Sequence, residues 1–384
     1  MDELPTPPAM KNGWPWTEES QQIAERLPTG EAWPRVSIVT PSYNQAAFIE
    51  ETIRSVLLQG YPNLEYIVMD GGSTDGSVDI IRKYDPWLAY WSSEPDRGQG
   101  HAISKGFEKA TGVIFGWLNS DDVYCRGTLE LVARLFLNTP NVGFLYGDCS
   151  VIDQGSSKID HIESQPGGPA EFLTRCFIPQ PSTFFRRTAW KTVGGINEAL
   201  HYSMDYDLWL RMMSGGVEAL YEPKTLACFR RHADSKSNGD LRKFGYEYLS
   251  VLKSYNPGGE EVLQKAKLKG FQEAFMMILA GCEAIANKEG REQGAELTAL
   301  EQWSENLGEF KEQYSEYPEI LGESLYEIGR RYCGLGRSKE GRRNYAMASK
   351  ITKRRFRVIT ARVTRFLGIS PYGCFGKIWR KLTG

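Results

Sequence analysis

Long hydrophobic segments are absent from this chain of 384 residues. No run approaches the roughly eighteen consecutive apolar residues that a membrane-spanning helix needs, so we expect no transmembrane segment. The first eight residues, Met-Asp-Glu-Leu-Pro-Thr-Pro-Pro, contain neither the basic nor the apolar region of a secretory signal. Both absences predict a cytoplasmic protein.

Paired cysteine motifs are also missing. The seven cysteines are odd in number and widely spaced, and no two of them form a CxxC pair. This pattern argues against a disulfide framework and against a zinc site. We therefore expect reduced cysteines that lie in the core of the protein.

A glycine-rich phosphate loop is missing after the first predicted strand, where residues 41–45 read Pro-Ser-Tyr-Asn-Gln. A nucleotidyltransferase would carry such a loop there, with a basic residue to hold a triphosphate. A dinucleotide-binding dehydrogenase would carry GxGxxG at the same place. The sequence therefore argues against both classes of enzyme.

Acidic residues are missing from the C-terminal end. Twelve Lys and Arg residues follow Glu340 with no Asp or Glu among them, so residues 1–340 hold 34 basic and 48 acidic residues. The net charge of −2 thus combines an acidic body with a basic tail. Such a tail predicts contact with a polyanion or with an anionic membrane surface.

The tail also has a helical pattern between residues 351 and 369. Its apolar residues, at spacings of three and four, are Phe356, Ile359, Val363, Phe366 and Leu367. Two interpretations remain open. The helix lies on an anionic leaflet, where each Lys or Arg contributes about 1 kcal/mol, or it packs its apolar stripe on the protein body. We expect no nucleic-acid partner.

Three apolar runs each end in polar or acidic residues. The apolar run at 36–39 is followed by polar residues at 40–44, the run at 64–69 by Asp70, and the run at 113–118 by polar residues at 119–122. Short apolar runs separated by helical patterns are typical of buried parallel strands. Because the carboxyl ends of such strands form the ligand crevice of an open α/β sheet, we expect a nucleotide and metal site there.

Four regions are expected along the chain. Residues 1–34 are rich in Pro and Trp and have no helical or strand periodicity of apolar residues, which predicts a strap over the next region. That region, residues 35–240, is the expected catalytic domain. Long helical patterns, at 260–286 and 321–351, predict a helical region at 241–350. The basic tail occupies 351–384.

The motifs of residues 34–238 together resemble a family 2 glycosyltransferase of the bacterial polysaccharide-assembly kind. The matching segments are TPSYNQ (40–45), EYIVMDGGSTDGS (65–77), SEPDRGQ (93–99), WLNSDD (117–122), QPSTFFRR (180–187), MDYDLWLR (204–211) and FRRH (229–232). The resemblance implies a GT-A fold, which is an α/β, Rossmann-like, mixed and mostly parallel sheet flanked by helices. Here it would carry a C-terminal helical appendage.

The resemblance also implies a site for a nucleotide-diphospho-sugar, most commonly a UDP-sugar. Tyr43 would flank the base, Asp70 would accept a hydrogen bond from a base ring nitrogen, and Arg97 would contact the diphosphate or remain a solvated surface residue. The implied site residues are Thr40, Pro41, Ser42, Tyr43, Asn44, Asp70, Arg97, Gly98, Gln99, Asn119, Ser120 and Gln180.

A divalent cation is the second implication. Asp121 matches the metal-binding second acid of the family's DXD motif, whereas Asn119 replaces the usual first acid. His232 is a further ligand by resemblance. Oxygen ligands suit Mg²⁺ or Mn²⁺, which would neutralise a departing diphosphate. We expect Asp122 to cap the following helix rather than to bind the ion.

Asp205 matches the general base of the family, and the alternative is a simple helix cap. Asp207 lies two residues further along, on a different face of a helix, and is expected to be structural, in the first helical turn. The implied reaction is a single inverting displacement onto a carbohydrate or lipid-linked acceptor, in cell-surface polysaccharide synthesis. A lipid-linked acceptor would suit the interpretation in which the basic tail of this cytoplasmic protein docks on the inner face of the cytoplasmic membrane. The alternative is a catalytically silent scaffold that binds nucleotide sugar or polysaccharide; such a binder needs no base.

Overall fold

A computed structural model describes residues 4–233, 235–236, 241–256, 260–289, 301, 318–334 and 338–352. The basic tail predicted at 351–384 lies outside these residues, apart from its first two. Contacts divide the chain into two compact units, residues 1–277 and the remainder from Ile278 onward.

The first half of the larger unit alternates strands and helices. Its elements are β1 (Val36–Ser42), α1 (Ile49–Leu57), β2 (Leu64–Asp70), α2 (Ser77–Lys83), β3 (Tyr90–Ser93), α3 (Gln99–Lys109) and β4 (Ile114–Trp117). Strand β1 lies between β2 and β4, β3 flanks β2, and all of these pairs are parallel. Helix α1 buries Ile49, Ile53 and Val56, spaced four and three residues apart, in the core.

Helix α3 packs closely on the sheet because residue 106 is glycine. A Cβ atom at Gly106 would overlap the side chain of Val39 on β1. The helix begins at Gln99, whose side chain bonds Asn119, two residues past the end of β4.

The second half of the unit is less regular. Its elements are β5 (Val123–Tyr124), α4 (Thr128–Asn138), β6 (Val142–Ile152), β7 (Lys158–Ile162), α5 (Pro169–Thr174), β8 (Thr183–Arg186), α6 (Arg187–Thr192), α7 (Met204–Ser214), β9 (Glu218–Arg230) and α8 (Leu241–Ser254). A 3₁₀ turn, Gln180–Ser182, precedes β8.

All nine strands found in the described residues form one sheet of order β3-β2-β1-β4-β8-β6-β9-β5, with β7 beside β6. The pairs β4–β8, β6–β8, β6–β7 and β5–β9 are antiparallel, and β6–β9 is parallel. The predicted α/β fold, a mixed sheet flanked by helices, is therefore confirmed.

The N-terminal segment contacts α1 and β5. Arg54 of α1 is buried and donates to the carbonyl oxygens of Pro15 (3.0 Å) and Trp16 (2.7 Å). The indole of Trp14 donates to the Tyr124 carbonyl at 2.8 Å. The two bonds from Arg54 satisfy backbone carbonyls of a segment that has few regular hydrogen bonds of its own, and the Trp14 bond ties the segment to β5.

The remaining helices are α9 (Glu261–Glu289), α10 (Pro318–Gly334) and α11 (Ser338–Thr352). The pattern that predicted one helical stretch at 321–351 therefore corresponds to two helices. No helix in the described ranges is both long and apolar enough to cross a membrane.

Four cysteines are described with their side chains, and all are free thiols. Cys149 is buried, Cys125 and Cys228 are half-buried, and Cys176 is exposed. The expectation of core cysteines is therefore wrong for Cys176, because that residue lies in the loop after α5 and not on a buried strand.

Candidate active site

Three parallel strands bring their carboxyl ends together. Ser42 at the end of β1 is level with Asp70 at the end of β2, and Val39 is level with Trp117 at the end of β4. The predicted polar residues therefore meet at one edge of the sheet. The Oγ atom of Ser42 is buried there without a hydrogen-bond partner among the described residues. An unpaired buried hydroxyl at the end of a central strand is consistent with a ligand-binding position.

Asp70 organises the loop that follows β2. Its carboxylate accepts hydrogen bonds from the backbone nitrogens of Gly72 (3.1 Å) and Ser73 (2.9 Å). The hydroxyls of Ser73 (2.6 Å) and Ser93 (2.7 Å) donate to it as well. Four donors hold the side chain in place, and Asp70 is 3% exposed. The structure thus gives Asp70 a loop-ordering position in addition to its predicted contact with a base.

The loops after β1 and β2 are hydrogen-bonded to each other. The backbone nitrogen of Asn44 donates to Ser73 Oγ (2.7 Å), and Asn44 Oδ1 accepts from the nitrogen of Thr74 (2.9 Å). Asp75 accepts from the nitrogens of Ala46 (2.9 Å) and Ser77 (3.0 Å). Burial alone would raise the pKa of Asp75, but these hydrogen bonds outweigh it and the pKa is lowered.

The other predicted site residues near the ends of β1 and β4 differ widely in exposure. Thr40 is fully buried and its hydroxyl accepts from Tyr66 at 3.1 Å. Pro41 and Ser120 are buried, whereas the ring of Tyr43 is 63% exposed at the edge of the sheet. An exposed aromatic ring beside an ordered polar loop suits the predicted contact with a base.

A chain of amide side chains crosses the site from β4 to the loop after β9. Gln180 Nε2 donates to the Trp117 carbonyl (2.6 Å), and Asn119 Nδ2 donates to Gln180 Oε1 (3.0 Å). Gln99 Nε2 donates to Asn119 Oδ1 (2.6 Å), and Lys236 Nζ donates to Gln99 Oε1 (2.6 Å). The predicted residues Gln99, Asn119 and Gln180 are thus directly connected.

Arg97 lies at the edge of this arrangement. Its guanidinium is 70% exposed and forms an ion pair with Glu198 at 2.6 Å. The next residue, Gly98, has φ of +109° and precedes α3, which is a backbone conformation that glycine adopts without strain. The described contact of Arg97 therefore joins two loops, and its side chain faces solvent.

The predicted metal ligands are neighbours. Asp121 Oδ2 lies 3.0 Å from His232 Nε2, and the imidazole, which is packed on the ring of Phe48, is almost fully buried. Two ligands bound side by side to an octahedral ion at about 2.1 Å would be about 3.0 Å apart. The pair therefore fits a small divalent cation.

The described residues include no group of three or more His, Cys, Asp or Glu side chains arranged to hold a metal. Two protein ligands are nevertheless compatible with Mg²⁺, which keeps several waters and takes further oxygens from a substrate's phosphates. The donor set thus fits a cation that binds together with a diphosphate.

Asp122 does not cap the following helix, and that prediction is wrong. Helix α4 begins at Thr128, and its capping position is Gly127, five residues after Asp122. Asp122 is instead fully buried and accepts from the backbone nitrogen of Arg230 at 2.9 Å. Burial and the neighbouring Asp121 raise its pKa. Its side chain fastens the end of β9 to the turn that carries Asp121.

Asp205 lies in the first turn of α7 and is half-buried. Its Oδ1 accepts from the Tyr206 nitrogen at 2.8 Å, but the capping position belongs to Ser203. Burial raises its pKa to about 6, although that hydrogen bond and the positive charge of Lys236 act in the opposite direction. Asp207, in the same turn, bonds Arg211 at 2.9 Å, which is the structural contact expected of it.

Two residues that sequence reasoning missed surround Asp205. Glu247 on α8 accepts hydrogen bonds from the backbone nitrogens of His201, Tyr202 and Ser203, at 2.6 to 2.9 Å, and so holds the loop before α7. Lys236 follows His232 by four residues. Neither has a recognisable motif around it, and only the proximity of Lys236 to FRRH offered a signal.

Lys236 connects the two acidic parts of the site. Burial lowers the pKa of its ammonium group, and attraction by Glu247, Asp205 and Asp121 opposes that shift. Its hydrogen bonds to Gln99 Oε1 and to the His201 carbonyl join the amide chain to the loop before α7.

Comparisons with known proteins identify the family and the fold. A sequence model of glycosyl transferase family 2 matches residues 37–193. An uncharacterised glycosyltransferase of Rickettsia typhi is 30% identical over 231 residues, which cover 56% of this chain and 70% of that protein. The chain belongs to glycosyltransferase family 2. The resemblance inferred from the motifs is confirmed.

Other family 2 relatives are longer than the matched region. Hyaluronan synthase of Pasteurella multocida is 28% identical over 235 residues, which cover 59% of this chain. The match spans 24% of that synthase and 31% of a Rickettsia felis glycosyltransferase. The chain therefore corresponds to one part of these proteins.

The solved structure of TarS from S. aureus, residues 1–349, has a similar fold. It superposes with a TM-score of 0.54 and 16% sequence identity over 83% of this chain and 91% of that one. TarS has also been crystallised with UDP-GlcNAc. At this identity, the similarity shows the shared GT-A fold.

Proposed function

We propose that this chain is an inverting glycosyltransferase that moves a sugar from a nucleotide-diphospho-sugar to a carbohydrate or lipid-linked acceptor. The observation that carries the proposal is the pair of hydrogen bonds by which Lys236 joins Gln99, which is itself bonded to Asn119, to the carbonyl of His201 in the loop before α7. A transfer reaction of this kind needs one acidic group on the leaving-group side and one on the acceptor side. Lys236 thus joins the turn that carries Asn119 and Asp121 to the loop that precedes Asp205.

The donor is proposed to bind at the carboxyl ends of β1, β2 and β4. The ordered loops around Asp70 and Asn44 supply fixed polar groups, and Tyr43 supplies an aromatic face. The complex of TarS with UDP-GlcNAc supports a nucleotide-sugar donor for a chain of this fold. We propose a uridine diphosphate sugar as the first candidate.

Asp205 is proposed as the general base. Its carboxylate would accept the proton of the acceptor hydroxyl while that oxygen forms a bond to C1 of the sugar. The bond from C1 to the diphosphate oxygen breaks on the opposite face, so the configuration at C1 is inverted. A carboxylate with a pKa of about 6 is a stronger base than an ordinary aspartate and is still ionised at pH 7.

Asp121 and His232 are proposed to hold Mg²⁺ or Mn²⁺. When bound, the cation supplies positive charge to the departing diphosphate. The buried position of His232 and the contact of Arg230 Nε with the Asp121 carbonyl (2.7 Å) keep both ligands in place.

A polysaccharide or a lipid-linked saccharide is the proposed acceptor class. The relationship to hyaluronan synthase supports a role in polysaccharide synthesis. The proposed docking on the inner face of the cytoplasmic membrane concerns the basic tail, nearly all of which lies outside the described residues. Loss of liposome cosedimentation in a chain that ends at residue 351 would support it, and unchanged binding would contradict it.

A thermal-shift screen tests the proposed function. The full chain is melted with UDP-, GDP-, dTDP- and CMP-sugars, each with Mn²⁺ and with EDTA. A sugar nucleotide at about one hundred times its Kd should add roughly 2.7 kcal/mol to the free energy of unfolding. The stabilisation should be largest with the metal and smaller in EDTA and in Asp121→Ala, while Asp79→Ala, on the exposed face of α2, retains it in full.

The screen also separates an enzyme from a silent scaffold. Transfer to an acceptor, detected as release of the nucleoside diphosphate, should accompany stabilisation and be lost in Asp205→Asn. Stabilisation without release in the presence of polysaccharide or lipid-linked acceptors would favour the scaffold. The absence of any shift would contradict the proposed donor site.

A further inference from the structure

Lys236 is a cation inside the proposed active site to which no motif assigns a role. Its ammonium group donates to Gln99 Oε1 at 2.6 Å and to the carbonyl of His201 at 3.2 Å. An ammonium group has three hydrogens. The third has no acceptor among the described residues, so one donor of this half-buried cation remains available to a ligand.

The amide chain that holds Lys236 has a fixed direction, because the group at each end allows only one orientation of the amide next to it. At one end the Trp117 carbonyl can only accept, so Gln180 must present its nitrogen to it and its oxygen to Asn119. At the other end an ammonium can only donate, so Gln99 must present its oxygen.

The middle of the chain is fixed in the same way. Asn119 Oδ1 accepts from the Trp117 indole (2.7 Å), which can only donate, as well as from Gln99. Its Nδ2 is therefore directed at Gln180. An aspartate at position 119 would place an oxygen against Gln180 Oε1 and break the chain. The departure of this sequence from a DXD motif thus has a structural consequence at Lys236.

The surroundings of Lys236 indicate what it binds. The carboxylates of Asp121 and Asp205, on the proposed leaving-group and acceptor sides, both attract it. Arg97, the other cation expected at the diphosphate, is engaged with Glu198 and faces solvent. A lysine ammonium is a compact point charge and a common ligand of phosphate oxygens.

We propose that the Lys236 ammonium donates a hydrogen bond to the departing diphosphate of the donor, and that the Gln180–Asn119–Gln99 chain holds it in position. The inference rests on the function proposed above. Lys236 is then a catalytic residue, since it touches the substrate, and Gln99 is a positioning residue, since it acts through Lys236. The leaving group receives positive charge from the protein in addition to that of the cation.

Isothermal titration calorimetry of the full chain tests the proposal. The affinity for UDP is compared with that for UMP, and the affinity for GDP with that for GMP. The titrations are run with Mg²⁺ and again with EDTA. The variants are Lys236→Met, Lys236→Arg and, as a matched control on the exposed face of α6, Lys191→Met. Melting temperatures establish that each variant is folded.

The expected loss is selective for the diphosphate. Lys236→Met should bind the diphosphate about 10- to 100-fold more weakly, the range of a charge-assisted hydrogen bond, and the monophosphate within about twofold of the wild type. Lys236→Arg should retain part of the affinity, and Lys191→Met all of it. The loss should persist in EDTA, because it does not pass through the metal.

A second variant tests the positioning role. Gln99→Met removes the hydrogen-bond acceptor without adding charge, and should show the same selective loss in weaker form. In the double variant with Lys236→Met the two losses should not add, because both remove one interaction. Additive losses would overturn the role of the chain.

The titrations distinguish a failure of this inference from a failure of the proposed function. A wild-type chain that prefers the diphosphate, with Lys236→Met unchanged in that preference, would overturn this inference and leave the proposed function intact. A wild-type chain that binds none of these nucleotides would overturn both.

Discussion

The carboxylate of Asp121 lies 3.0 Å from the imidazole of His232, although 111 residues separate them in the sequence. The antiparallel pairing of β5 with β9 produces this contact, because it sets Val123 opposite Cys228 and brings the two polar ends side by side. The buried Arg230 reinforces it through the Asp121 carbonyl. The proposed metal site is thus a product of strand pairing.

Removing the imidazole should weaken metal binding while the fold persists. His232→Ala should lower the affinity for Mn²⁺ in the presence of a nucleoside diphosphate by at least about tenfold, since even outer-sphere changes have effects of that size. Electron paramagnetic resonance of free Mn²⁺ measures it. His161→Ala, on β7, serves as the control. Equal affinity in His232→Ala and the wild type would contradict the assignment of this ligand.

The transfer rate should depend on pH through Asp205. A base must be deprotonated to act, so the rate should fall by about tenfold per pH unit below its pKa of about 6 and level off above it. Initial rates between pH 4.5 and 8 give the profile. A rate that is constant between pH 5 and 7 would mean that another group accepts the proton.

Asp205→Asn should lose activity and gain stability. Activity should fall by roughly 10²- to 10⁴-fold. Burial raises the folded-state pKa from 3.8 to about 6, so the folded state binds more protons between these values and ionisation destabilises it. The variant avoids this penalty.

The gain in stability has a predicted pH window. It should be absent near pH 4, grow up to about pH 6, and reach at most about 3 kcal/mol, less whatever solvent screening removes. Urea denaturation at several pH values measures it, with Asp79→Asn as the exposed control. A gain that does not change with pH would show that the ionisation of Asp205 is not responsible.

Glu247→Gln should destabilise the loop before α7. Oε2 of the carboxylate accepts from three consecutive backbone nitrogens, and Oε1 accepts from the first of them as well. An amide could keep the bonds to one oxygen, but it removes the negative charge that strengthens them and sets an NH₂ group against the His201 nitrogen. The expected cost is about 1–3 kcal/mol in the free energy of unfolding, with a fall in kcat because Asp205 follows that loop. Glu108→Gln, exposed on α3, should change neither quantity.

Arg97→Ala distinguishes the two interpretations of Arg97. Its ion pair with Glu198 is exposed, so the free energy of unfolding should change by less than about 1 kcal/mol. Unchanged affinity for UDP in the same variant would assign Arg97 to the surface. A loss confined to diphosphates would assign it to the donor.

Local sequence patterns were sufficient for the elements that carry the site. The apolar runs before Thr40, Asp70 and Asn119 predicted three parallel strands, because a buried strand must be apolar along its length and polar where it reaches solvent. The same rule predicted that their polar ends would share one edge. The motifs around these ends also identified the family.

Other assignments failed because they depended on distant partners. Asp122 resembles a helix cap in sequence, but its hydrogen-bond partner is the backbone of Arg230. Lys236 and Glu247 have no motif, and their positions follow from the packing of the chain after β9 and of α8. No spacing along the chain specifies such contacts.

The sequence by itself determined the family and the strand ends and supplied Asp70, Asp121 and Asp205 as candidate site residues, since residue type and local period are properties of short segments. Only the tertiary structure decided how these groups are joined. The pairing of Asp121 with His232, the direction of the amide chain through Asn119 and the contacts of Lys236 with Gln99 and the His201 carbonyl all depend on strand pairing and burial. These act between residues that are distant in the chain and adjacent only after folding.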